Sequence, residues 1–261
     1  MPIITLTTDW GLKDHYLASV KGSILSHIPQ AQIIDISHQI KPFDLNEASY
    51  ILRNVWKSFP EGSIHLVGVN SEASLAHPHV VIKHQGHYFI GADNGIFSLV
   101  FDHQPDEIFE LDIIQATNKF TFSTKDVFVQ AALHICEGNP LDGLGEKLAE
   151  LTNRMAFQPV TEEGLIKGKV IYIDRYENVV TNISESLFQE KAQNKKFEIL
   201  LRAGKYTIKK IHTSYSDVVE GELVALFGSD NLLEIAQNKG RAAGLLGIQV
   251  DDVVRIEIEN N

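Results

Sequence analysis

The chain has 261 residues, 44% hydrophobic and 22% charged, enough to bury one sizeable core or two smaller ones. Its 23 Lys and Arg stand against 34 Asp and Glu, a formal net charge of -11, so its field repels polyanions and excludes a nucleic-acid footprint. The single cysteine, Cys136, excludes an internal disulfide and a cysteine-based zinc site.

The chain opens directly on a strand-like run, Ile3 to Leu6, without the basic and apolar regions of a signal peptide. No stretch approaches the roughly 18 apolar residues of a spanning helix, so a soluble, cytoplasmic protein without membrane contact is expected. Next come a helical pattern over Tyr16–Ser26, with Leu17, Val20, Ile24 and Leu25 on one side, a strand over Ile33–Ile36 and a helix over Asn46–Val55. Ile64–Val69 reads apolar on both faces, as a buried strand does. Val80–Lys83 and Tyr88–Ile90 are further strands, and Val127–Ile135 a helix. Such alternation predicts a mostly parallel sheet covered by helices, with functional loops beyond the strand ends, after Asp9, Asp35 and Val69.

Gly138–Pro159 carries Gly, Pro and Asn punctuation without periodicity and reads as a linker. Beyond it the pattern changes to short strands: Lys169–Ile173, Phe197–Leu201, Tyr206–Ile211, Leu223–Phe227, Leu233–Ala236 and Val253–Ile258. The expectation is an α/β N-terminal domain with a mostly parallel sheet over residues 1–155, followed by a smaller C-terminal β-barrel or sandwich over 156–261.

Six segments stand out for chemistry. Thr7-Thr8-Asp9-Trp10-Gly11-Leu12-Lys13-Asp14 places a carboxylate at a strand end, a natural acceptor for a vicinal diol, beside a glycine that lets backbone approach a ligand. Spacing alone favours a strand-to-helix turn with Asp14 as helix N-cap. Pro42-Phe43-Asp44 offers an aromatic face, suited to a cation or to a core. Gly91-Ala92-Asp93-Asn94-Gly95 is turn chemistry. The remaining three are Asp174-Arg175-Tyr176-Glu177-Asn178-Val179-Val180-Thr181-Asn182-Ile183, Thr213-Ser214-Tyr215-Ser216-Asp217, and the run from Gly228-Ser229-Asp230-Asn231 to Asn238.

Taken in order, and over nearly the whole length, these segments resemble the SAM hydroxide adenosyltransferases, adenosine-forming hydrolases of S-adenosyl-L-methionine (SAM) related to the SAM-dependent fluorinases and chlorinases. The most specific match is the run from Asp174 to Ile183, where the family carries Asp-Arg-Phe-Gly-Asn, two apolar residues and Thr-Asn-Ile. The resemblance implies that Asp9 holds the ribose diol, Phe43 walls the sulfonium, and Asp14, Asp174 and Ser229 clamp the amino acid. It further implies Asn178 on the nucleoside or amino-acid moiety and Tyr215 stacked on adenine. It also implies no metal or cofactor, SAM being the substrate, and a homotrimer with sites shared by subunits.

The chain departs from the family where water is oriented. Hydrolysing members carry an Asp, an Arg seven residues later, and a His before Gly-Arg-Asp; here those positions are Asn70, His77 and Ser123. The halide-using branch is not matched either, since Thr124 is the one hydroxyl remnant of a halide pocket. Displacement at C5′ expels a neutral thioether and needs no general acid, so Asn70 and Ser123 holding a water, with His77 as base, is the catalytic set expected. Two alternatives stay open: a non-catalytic SAM or adenosine-binding protein, and adenosyl transfer to another nucleophile.

Overall fold

The computed structural model describes residues 1–115, 121–193, 195–201 and 205–259. The chain divides into two compact units, Met1–Met155 and Ala156–Asn261.

The first unit runs β1 (Ile3–Thr8), α1 (Tyr16–His27), β2 (Gln32–Ser37), α2 (Leu45–Arg53), β3 (Ile64–Gly68), β4 (His79–His84), β5 (His87–Ala92), α3 (Ile96–Val100), β6 (Glu107–Glu110) and α4 (Val129–Cys136). The strands lie in the order β2-β1-β3-β5-β4-β6. β1 pairs in parallel with β2 and β3, and β3 with β5, whereas β4 runs antiparallel to both its neighbours. The reason the strands read as apolar runs is that both sheet faces are covered. Ile4, Leu6, Leu66, Val81 and Ile90 pack with Val20 and Ile24 of α1 and Ala131 and Ala132 of α4. On the other face Val67, Val80, Ile82 and Phe89 meet Ala48 and Leu52 of α2 and Ile96, Phe97 and Val100 of α3.

Two local expectations are corrected here. The N-cap position of α1 is His15, without a side-chain cap, and Asp14 lies one residue outside with its side chain exposed. Asp44, by contrast, caps α2, accepting the Asn46 and Glu47 N–H groups. Residues 138–155 are no linker. Leu141 and Leu144 join one core, Leu148 and Leu151 pack on the other, and the Leu148 N–H donates to the Ile108 carbonyl at 2.9 Å. Their Gly, Pro and Asn residues mark turns in packed chain.

The second unit contains β7 (Val160–Glu162), β8 (Leu165–Ile173), β9 (Val179–Ser184), α5 (Glu185–Ala192), β10 (Phe197–Leu201), β11 (Tyr206–Ile208), β12 (Ile211–His212), β13 (Leu223–Phe227), β14 (Leu232–Gln237), α6 (Ala242–Leu246) and β15 (Val253–Ile258). They follow one path, β11-β10-β15-β8-β9-β14-β13-β12, with β7 added on β8. Pairing is antiparallel except between β12 and β13. Ile199 and Ile256 from one part of the path and Leu233 and Ile235 from the other fill one core with Ile166, Val179 and Ile183. The strand expected over Tyr206–Ile211 is two strands, β11 and β12, at opposite ends of this path.

Candidate active site

In the first unit the candidate residues gather where the parallel strands end, the edge at which such sheets bind ligands. β1 hands over to Asp9, whose Oδ2 accepts the Phe43 N–H at 2.8 Å. Phe43 has φ 66, a conformation costly for a bulky side chain and typical of loops held for function. Phe43 is 72% exposed within the chain. Gly11, at φ 68, donates its N–H to the His38 carbonyl at 2.6 Å, joining the loop after β1 to the loop after β2.

At the end of β3, Gly68 leaves space for two neighbours. A Cβ there would come within 2.7 Å of the Trp10 ring and 3.0 Å of Thr124 Oγ1. Thr124 opens a π-helical turn, Thr124–Phe128, directly after Ser123, and both hydroxyl residues are buried. Wide turns of this kind recur at functional sites. Ser71 brings its Oγ to 3.5 Å from Thr124 Oγ1. Asn70 precedes it at φ 46 with an exposed side chain, a conformation asparagine tolerates.

His77 is half-buried, its Nδ1 3.1 Å from the Asp93 carbonyl. A carbonyl only accepts, so Nδ1 carries the proton and Nε2 of the neutral ring keeps a lone pair. The segment Gly91 to Gly95 is a brace behind these loops. Asn94 Nδ2 donates to the Asn70 carbonyl at 2.9 Å, and Asn94 Oδ1 accepts the Ile96 N–H. Buried Asp93 accepts the Thr152 N–H at 2.8 Å and its hydroxyl at 3.0 Å. Asn70, His77 and Ser123 thus stand on loops of one sheet edge. Among the described residues no hydrogen bond joins their side chains to one another.

The second unit presents a separate cluster. Asp174, in the turn between β8 and β9, accepts the Tyr176 and Asn178 N–H groups on Oδ1, both at 2.8 Å, and Asn178 Nδ2 on Oδ2 at 3.1 Å. Tyr215 sits in a 3₁₀ turn with a Ser214–Asp217 capping box and donates its hydroxyl to Glu234 Oε1 at 2.7 Å. Burial, the hydrogen bond to Glu234, and the charges of Glu234, Asp174 and Asp230 push the Tyr215 phenol above its ordinary range. Burial together with Asp174 and Asp230 also raises Glu234, against a lowering by the Tyr215 hydroxyl. The charges of Asp174 and Asp230 thus reach both Tyr215 and Glu234, a setting that favours a cationic group. Ser229 is exposed beside them in sequence. Asp230 and Glu234 lie in the run singled out in the sequence but carried no role there; a carboxylate within the otherwise apolar run Leu232–Ala236 of β14 is the signal that could have marked Glu234.

The chain thus joins an α/β unit whose candidate residues lie at the carboxyl edge of parallel strands to a mostly antiparallel β unit presenting a tyrosine among carboxylates. Residues 4–145 match the SAM hydroxide adenosyltransferase N-terminal domain and residues 168–255 its C-terminal domain. The chain belongs to the SAM hydroxide adenosyltransferase family. A Methanocaldococcus jannaschii protein named (R)-S-adenosyl-L-methionine hydrolase is 31% identical, the match covering 98% of this chain and 96% of that one. A Thermus thermophilus protein of the same name is 30% identical over 95% and 97%. A Nocardia brasiliensis fluorinase is 24% identical over 98% and 97%. Among solved structures, an uncharacterized conserved protein from Thermotoga maritima superposes with a TM-score of 0.87 at 31% identity, over 97% of this chain and 99% of that one.

Proposed function

We propose that this protein cleaves SAM at C5′ with water, giving adenosine and L-methionine. The observation that carries the reading is similarity along the full chain, at 30–31% identity, to proteins named for that hydrolysis. In this reading Asp9 accepts the ribose diol, Phe43 lies against the sulfonium and Tyr215 against adenine. Asp14, Asp174 and Ser229 take the amino-acid end, helped by the field of Asp230 and Glu234, and Asn178 meets the nucleoside or the amino-acid moiety. Thr124 shapes the floor beneath the reacting carbon.

The water oxygen forms its bond to C5′ as the C5′–S bond breaks, and the electron pair leaves on sulfur as a neutral thioether. The proton shed by water goes to His77 Nε2, while Asn70 and Ser123 hold the water in line. One neutral base replaces the charged set of other family members, so turnover is slow. The proposal includes a cytoplasmic homotrimer, in which chains pool their candidate residues; sedimentation of a ligand-competent monomer would reject that part.

Chromatography of SAM incubated with the purified protein tests the reaction. Adenosine and methionine in equal amounts are expected. Unchanged SAM with measurable SAM binding would overturn hydrolysis in favour of a binding protein.

A further inference from the structure

Thr8, the last residue of β1, is buried, and its Oγ1 lies 2.7 Å from Nδ1 of the equally buried His38. On the far side of that ring, Nε2 stands 3.1 Å from Asp35 Oδ1, at ion-pair distance without hydrogen-bond alignment. Asp35 Oδ2 receives Lys21 Nζ at 2.6 Å. Burial would raise the Asp35 carboxyl, but Lys21 and His38 outweigh it and hold the group below its ordinary value, so it is a carboxylate. A carboxylate only accepts. An Nε2–H therefore faces it, while Nδ1 and the Thr8 hydroxyl share the hydrogen bond on the other side of the ring.

The backbone of the same histidine makes a second contact. Its carbonyl accepts the Gly11 N–H at 2.6 Å. The pairing of β1 with β2 steps from Leu6↔Asp35 to Thr7↔Ser37, which leaves Ile36 as a bulge just before His38; such bulges re-aim the side chains that follow. His38 consequently grips the chain on both sides of Asp9, by its ring at Thr8 and by its carbonyl at Gly11. Asp9 has Oδ2 engaged by Phe43, so the direction in which it meets a ligand is set by this loop.

We propose that His38, oriented by Asp35, is a positioning residue for Asp9: by clamping Thr8 and Gly11 it fixes the aim of the carboxylate and so sets affinity for the nucleoside part of the substrate. The inference rests on the reading of Asp9 as the ribose acceptor. His38 acts through hydrogen bonds to its neighbours, so it governs KM and leaves the chemical step alone.

The test compares Thr8→Val, Thr8→Ser, His38→Ala and Asp9→Ala by calorimetry with adenosine and by SAM kinetics. Thr8→Val and His38→Ala should raise the adenosine Kd and the SAM KM about tenfold with kcat within about twofold. Thr8→Ser, which keeps the hydroxyl, should restore Kd to within about threefold of wild type; it also covers the case in which Thr8→Val fails to fold. If Asp9→Ala weakens adenosine while Thr8→Val and His38→Ala bind it like wild type, positioning by His38 is wrong and the Asp9 reading stands. A loss of kcat at unchanged KM in the His38 and Thr8 variants overturns it too. If Asp9→Ala itself leaves adenosine affinity intact, the reading of Asp9 falls, and the clamp falls with it.

Discussion

His77 has a direct test because its tautomer follows from a backbone contact. With Nδ1 committed to the Asp93 carbonyl, Nε2 is the atom able to take a proton, and His77→Ala should lower kcat for SAM hydrolysis about 100-fold with KM nearly unchanged. Single-turnover kinetics would show it; an unaltered rate would assign the base elsewhere. Glu177 is a second residue whose role comes from backbone shape. It occupies a position where the family carries glycine, and it adopts φ 62. The strain is offset by its carboxylate accepting the Gly244 N–H at 3.0 Å and facing Arg241 at 3.4 Å, which ties α6 to the turn after β8. Glu177→Ala keeps the unfavourable φ and loses these contacts, so it should cost about 1–2 kcal/mol, whereas Glu177→Gly should cost less because it relieves the backbone. Urea unfolding ranks the two; an alanine variant as stable as the glycine variant would remove the strain argument.

Among the elements, the segment around Thr152 is tied to the turn before α3 by Asp93. Its buried carboxylate accepts the Thr152 N–H on both oxygens and the hydroxyl on one. Asp93→Ala leaves the half-buried Thr152 N–H without its acceptor and should destabilise the protein by about 2 kcal/mol, while Thr152→Val, which removes the hydroxyl alone, should cost about 1 kcal/mol. Chemical denaturation with unchanged m-values would check both. Asp-Asn-Gly at 93–95 was legible as turn chemistry, and that is its role, but its tie to Thr152 across 59 positions was not. Most strands of both units were legible from apolar runs. The short helices α3 and α6 were not, because five-residue helices show no periodicity. The break between β11 and β12 was missed because Lys209 and Lys210 interrupt the pattern without a glycine or proline to mark it.

For the whole molecule, buried histidines make stability depend on acidity. His65 lies between Thr5 at 2.8 Å and His87 at 3.2 Å and stacks on Phe89; burial, reinforced by His87, pushes it down to about 3. Burial also lowers His79, His84 and His87. These rings stay neutral in the native state, while in the unfolded chain they take up protons below about pH 6.5. The native state is therefore favoured fully above that pH and loses ground as pH falls toward 3, by up to about 1.4 kcal/mol per unit for His65. The urea midpoint should hold steady from pH 8 to 7 and fall between 6.5 and 5.5. A midpoint indifferent to pH over that range would mean that these rings are not held neutral.

The sequence by itself determined the family, the strand-ending carboxylate Asp9 and the run from Asp174 to Ile183, since local pattern and residue chemistry are written along the chain. It also exposed the replacement of the water-orienting set by Asn70, His77 and Ser123. Only the tertiary structure decided that the ring of His38 faces Thr8, that Glu234 receives the Tyr215 hydroxyl, and that residues 138–155 pack into the first unit. Those are contacts between side chains and segments far apart in sequence. They arise where packing of whole elements brings the groups within hydrogen-bond distance, which no local pattern encodes.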